Sequence, residues 1–263
     1  MQGARVMKRA GTSRAAVGRA LAGWGIALVT LIGTGGSGLA TILTTPHNLS
    51  VSGPGPVKAV SETQVCVFCH TPHKSQSAGP LWNHSLSAAA NYTLPSSATM
   101  LSTPQNPPDG DSRLCLSCHD GTVAVGSVVN VGGSANTISM QDSGSGDLAA
   151  GGTLSSSDST NFGTDLSGHH PVSIEVDDAL IADKQAQCNQ GLVSLRVCFP
   201  AAPAKLLSTA NLYGTGTHTH KGVQCSSCHD AHEDPVPGTS MFLRADPSTL
   251  CDLCHVSCSA NCP

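Results

Sequence analysis

The chain carries Cys-x-x-Cys-His four times: at Cys66, Cys69 and His70; at Cys115, Cys118 and His119; at Cys225, Cys228 and His229; and at Cys251, Cys254 and His255. Residues three apart lie on one side of a helical turn, so both thiols of each motif face one way. The histidine follows directly beside them. With 12 His in 263 residues, chance would place histidine after all four second cysteines roughly once in 10⁵ to 10⁶ chains.

Three chemistries use paired cysteines. A redox dithiol needs one pair, and zinc needs two. The 22 residues between the last two motifs come near the interval of a zinc ribbon. Neither requires histidine after every second cysteine. Attachment of c-type haem requires it: the two thiols form thioethers to one edge of a porphyrin, and the imidazole sits beneath the iron as an axial ligand. The motifs therefore predict four covalently bound haem groups, with iron held by His70, His119, His229 and His255.

Composition agrees. Aromatic residues make up 3% of the chain and charged residues 11%, against about 25% charged in ordinary soluble domains. With 28 Gly and 16 Pro, little large apolar mass is left for a core built of side chains. Four apolar macrocycles would supply that interior, and a fold wrapped on them should be unstable without them. The prolines between positions 46 and 108 leave little room for helices beyond two or three turns. The expected fold is mostly irregular coil with short helices and few short strands around a haem core.

Each iron has a second axial position. Three methionines follow residue 40 (Met100, Met140 and Met241), whereas eight histidines lie outside the motifs. The expectation is predominantly bis-His ligation, which gives low potentials. The candidate distal ligands are His47, His73, His84, His170 and His232. His73 and His232 each sit three residues past a motif histidine, and the porphyrin plane bars them from the far face of their own haem. Each must serve a different one. His84 follows an apolar Leu81 and Trp82. His170 precedes Pro171 and opens a strand-like alternation over residues 172–176. His169 stays an alternative to His170, and His218 and His220 are expected to be exposed.

Cys188, Cys198, Cys258 and Cys262 remain. Their even number in an exported chain favours disulfides. Of three possible pairings, Cys188 with Cys198 and Cys258 with Cys262 is the simplest.

Residues 1–40 hold Arg5, Lys8, Arg9, Arg14 and Arg19 and no acid, followed by an uncharged stretch over residues 21–43 and small residues up to Ala40. This is the order of a secretory signal peptide, cleaved after Ala40; an uncleaved anchor is the alternative. The expected location is extracellular or at the cell surface, with the periplasm as the alternative, and no membrane span once the signal is gone. Elsewhere acids outnumber bases about two to one without a basic cluster, which argues against nucleic acid as a partner. Residues 41–263 form the expected cytochrome domain, with a Ser/Gly-rich exposed loop over 132–168 and an insert over 177–213.

The segments 66–73, 80–84, 114–122, 166–172 and 224–232 run in an order that resembles the doubled-CxxCH multihaem c-type cytochromes. They are most similar to tetrahaem, OmcE-type subunits of extracellular cytochrome filaments, and residues 46–50 resemble that family's N-terminal His segment. The resemblance is absent over 132–164 and 177–213. It implies a continuous haem chain along a polymer of copies of this chain. His73 would ligate a haem of the adjacent subunit, and redox proteins or extracellular acceptors would be the further partners. The expected function is electron transfer without catalysis. A monomeric periplasmic carrier and a haem reductase are the alternatives, the last needing an open coordination position.

Overall fold

The computed structural model describes residues 42–76, 79, 81–131, 136–202, 204, 207–208, 221–233 and 242–262. The expected signal peptide, His218 and His220 lie outside them. Most of the described backbone is irregular, with short helices and short strands. Among the described residues no helix is long and apolar enough to cross a membrane.

Among the described residues the α-helices are α1 (Gly110–His119), α2 (Asp178–Asn189), α3 (Cys225–Cys228) and α4 (Pro247–Leu250). Helix α1 has Asp111 in its first turn and His119 in its last, both favourable to the helix dipole. The Asp177 side chain caps α2 by accepting from the Leu180 N–H at 2.8 Å. The first and fourth motifs open on 3₁₀ turns, Cys66–Phe68 and Cys251–Leu253.

The strands form three small sheets. β1 (Val57–Ala59) pairs antiparallel with β2 (Met140–Asp142). β6 (Lys221–Val223) lies between β3 (Ile174–Glu175) and β5 (Leu207–Ser208). β4 (Leu195–Val197) pairs antiparallel with β7 (His255–Ser257), with Val197 opposite His255. The strand expected over 172–176 is thus only two residues long.

Side-chain cores are small. Ala59, Phe68, Val128 and Ile138 form one, Val57, Val125 and Leu154 another, and Tyr92, Leu116 and Leu166 a third. The segment read as an exposed loop over 132–168 departs from that expectation. It contributes β2 and buries Ile138, Leu154 and Leu166. Isolated apolar residues spaced among Ser and Gly reach separate small cores, a pattern without periodicity along the chain.

Polar groups do much of the remaining joining. Buried Gln224 accepts from the Ser112 N–H at 3.0 Å and its hydroxyl at 2.6 Å, and donates to Asp109 at 3.2 Å. Asn83 donates to Asn130 O and accepts from Asn130 N–H, both at 2.9 Å, while its backbone N–H donates to Cys69 O at 2.9 Å. Such groups stay buried because each has its partner.

The disulfides require a correction. Cys188 bonds to Cys258 and Cys198 to Cys262, not to their neighbours in sequence. The cause is the β4–β7 pairing, which folds the insert back onto the C-terminal motif. The Cys198 N–H donates to Cys254 O at 2.8 Å and the Cys258 N–H to Ser194 O at 3.2 Å, which brings the insert's two cysteines beside the two that follow the fourth motif.

Candidate functional site

The four motifs are local turns, and the polar network ties the second to the third. In the first, the Cys69 and His70 N–H groups both donate to Cys66 O, at 3.2 and 2.8 Å. The second occupies the end of α1. Gly121 then turns the chain at φ +68°, where a Cβ would collide with the Asn161 side chain. The Phe162 N–H donates to His119 O at 2.7 Å, and the Phe162 ring stacks on His119 at 5.6 Å.

Successive motifs are neighbours. Cys118 lies within electrostatic reach of Cys69, the thiols of Cys115 and Cys225 are hydrogen-bonded, and Cys228 lies near both Cys251 and Cys254. The Gln224–Ser112 contacts and a 2.5 Å bond from Ser226 Oγ to Asp111 hold α1 against α3. Burial pushes the thiols of Cys69 and Cys118 up to about 12, and that of Cys254 to about 11. The Cys225 thiol is lowered instead, chiefly by its hydrogen bond with Cys115. Among the described residues, no three Cys, His, Asp or Glu side chains converge as a metal cage would require.

The histidines come together in twos. His70 faces His232 with ring centres 6.1 Å apart and planes 13° apart. His119 faces His47 at 6.1 Å and 62°, and His255 faces His170 at 6.2 Å and 61°. In each pair one member belongs to a motif and the other is a candidate distal ligand. Two imidazoles sharing one transition-metal ion, each with a nitrogen roughly 2.0 Å from it, hold their ring centres about 6.3 Å apart.

The outward nitrogens match that use. Nδ1 of His119 donates to Thr160 O at 2.8 Å, Nδ1 of His47 to Ala231 O at 3.2 Å, and Nδ1 of His170 to Pro171 O at 2.8 Å. A ligating histidine anchors its second nitrogen in this way and leaves Nε2 for the metal. Burial, and next His119, pushes His47 down to about 4; burial likewise lowers His119 and His255. Neutral imidazole is the ligating form.

The remaining candidates sit elsewhere. His84 is 1% exposed, with Nδ1 2.8 Å from Ser85 O and Nε2 3.2 Å from Ala124 O and 3.5 Å from Cys118 Sγ. The structure brings it beside the second motif and opposite none of the motif histidines. His73 is exposed; its carbonyl accepts from Thr71 and Asn130, and no described ring faces its own. His169 leans on Phe162 at 5.1 Å, so of the adjacent pair it is His170 that meets a motif histidine. His229, of the third motif, is exposed and close to His47 and His119.

The donor set fits haem c: paired thiols, a histidine beside them and, at three motifs, a second histidine with its ring centre 6.1–6.2 Å from the first. Trp82 adds to the fit. Its Nε1–H is buried without an acceptor among the described residues, and its ring stands 6.0 Å from His70. A haem propionate is an acceptor of the kind that donor lacks. Sequence reasoning left the partnerships open, because His232 and His47 reach their partners only through the fold. Comparison with protein-family models gives no match, and comparison with curated proteins gives none.

Proposed function

We propose that the chain is a tetrahaem c-type cytochrome that carries electrons along a row of haems, without catalysis. Each bound haem would supply a reversible one-electron couple at its iron. The observation that carries the reading is the set of three motif histidines, each facing a candidate distal histidine at 6.1–6.2 Å. Cys66 and Cys69, Cys115 and Cys118, Cys225 and Cys228, and Cys251 and Cys254 hold the four groups covalently. His70, His119, His229 and His255 are the proximal ligands. His232, His47 and His170 are distal ligands at the first, second and fourth sites.

Two further features support transfer over catalysis. At the first, second and fourth sites paired histidines would fill both axial positions of an iron, whereas chemistry on a substrate needs one of them open. The attachment cysteines of each motif neighbour those of the next, so the four sites form a row in chain order.

The row extends beyond one copy through His73. It is exposed and close to the first motif, and the family resemblance gives this position to ligation of the adjacent subunit's haem. The chain is therefore an exported filament subunit passing electrons to extracellular acceptors. Electron microscopy of the secreted protein tests this: thin unbranched fibres are expected, and His73→Ala should abolish them with all four haems still attached. Small discrete particles from the unaltered protein would favour the monomeric carrier instead.

A further inference from the structure

The turn after the third motif joins two sites, since His229 is proximal at the third and His232, three residues on, faces His70 of the first. Its surroundings differ from those of the other paired histidines. His47, His119 and His170 each direct Nδ1 at a neutral backbone carbonyl. His232 Nδ1 stands 3.7 Å from Asp230 Oδ1, a carboxylate, and the same oxygen accepts from the His232 backbone N–H at 3.2 Å.

Asp230 is itself held. Its Oδ2 pairs with Arg244 Nη1 at 2.8 Å. Arg244 is fixed from two other directions: its Nε donates to Ser226 O at 2.9 Å and its backbone N–H to Cys228 O at 2.8 Å. The Asp230 N–H donates to Phe242 O at 2.7 Å. Arg244 is well covered, its side chain being 14% exposed, so the ion pair keeps more of its strength than a surface pair would.

Resting on the reading of His232 as a ligand, we propose that Asp230 and Arg244 set the reduction potential of the haem at Cys66 and Cys69 with opposite signs. At 3.7 Å the carboxylate lies beyond hydrogen-bond reach of the outer nitrogen and acts on this ligand through its charge. That charge favours the ferric iron, which carries one positive charge more than the ferrous. Asp230 thus lowers the potential of this site relative to those whose ligands face carbonyls. Arg244 offsets part of that by neutralising the carboxylate. Both are positioning residues: neither touches the iron, and both act through His232.

The test is a spectroelectrochemical titration of the full haem-loaded protein and its variants. Asp230→Asn should raise the midpoint of the first haem most, with a smaller rise at the third, whose His229 it adjoins, and none at the other two; Asp230→Glu should restore it. Arg244→Gln should lower the same midpoint. In the Asp230→Asn background, Arg244→Gln should shift it by a different amount, because the pair no longer offsets itself. The first haem is identified as the one that His232→Ala opens to carbon monoxide. Should Asp230→Asn not fold, the Arg244→Gln shift alone decides. Unchanged midpoints in both single variants, or an equal shift at all four haems, would overturn the proposal. A wild-type protein without four attached haems would instead refute the cytochrome reading beneath it.

Discussion

His232 follows the third motif by three residues, yet its ring stands 6.1 Å from that of His70 in the first motif, with the two planes 13° apart. A residue 162 positions downstream thus meets the first motif, and the same turn carries Ala231, whose carbonyl accepts from Nδ1 of His47.

Removal of one distal histidine should open one iron. His232→Ala, His47→Ala and His170→Ala are each expected to let reduced protein bind carbon monoxide at a single haem, seen as a shift of about a quarter of the visible haem absorbance. His169→Ala should leave the spectrum unchanged, since its ring faces Phe162. Carbon monoxide binding by His169→Ala and not by His170→Ala would reverse that assignment.

Ring orientation predicts two spectroscopic classes. The His70–His232 planes are nearly parallel, whereas the His119–His47 and His255–His170 planes cross at 62° and 61°. Low-temperature electron paramagnetic resonance of the oxidised protein should show a rhombic low-spin species from the first site, lost in His232→Ala, beside more anisotropic signals from the others. A single signal type from all haems would contradict the ring angles.

The disulfides close long loops, of 70 and 64 residues in separation. Chain entropy assigns each about 4 kcal/mol, although the overlap of the two loops makes the pair less than additive. Cys188→Ser or Cys198→Ser should therefore lower the melting temperature clearly and loosen the fourth motif, which β4 and the Cys198 N–H hold in place. Non-reducing peptide mapping should recover Cys188 linked to Cys258 and Cys198 to Cys262; links between sequence neighbours would refute the β4–β7 register.

Asp142 anchors the turn after β2, accepting from Ser145 Oγ and from the N–H groups of Gly144, Ser145 and Leu148. The Ser145 hydroxyl first, with these backbone donors, lowers its carboxyl from 3.8 to about 2. A depressed carboxylate stabilises the fold above its unfolded value and loses that effect as pH falls through its folded value. Amide exchange at Gly144 and Ser145 should therefore accelerate as pH drops from about 4 to 2, once corrected for intrinsic rates. In Asp142→Asn the protection should be absent throughout, without that pH dependence.

Much of the site was legible because its chemistry is local. Cys-x-x-Cys-His places two cysteines and a histidine within five residues, and the structure keeps each motif as one local turn. The sparse secondary structure followed from composition. What stayed hidden depends on contacts across the chain. The pairing of His47 with His119 runs through a hydrogen bond to Ala231, 184 residues away. The disulfide pairing follows from a three-residue ladder between Leu195–Val197 and His255–Ser257, too short to leave a pattern in sequence. His84, placed by an apolar neighbourhood among the candidate ligands, is buried against Cys118 with carbonyls at both ring nitrogens.

The intact mass of the secreted protein, taken with its reduced visible spectrum, tests the central claim most directly. A polypeptide heavier by four haem c groups, with thioether-linked peptides spanning Cys66–Cys69, Cys115–Cys118, Cys225–Cys228 and Cys251–Cys254, is the expected result. A mass equal to the bare chain, with those eight thiols free or bound to zinc, would contradict it.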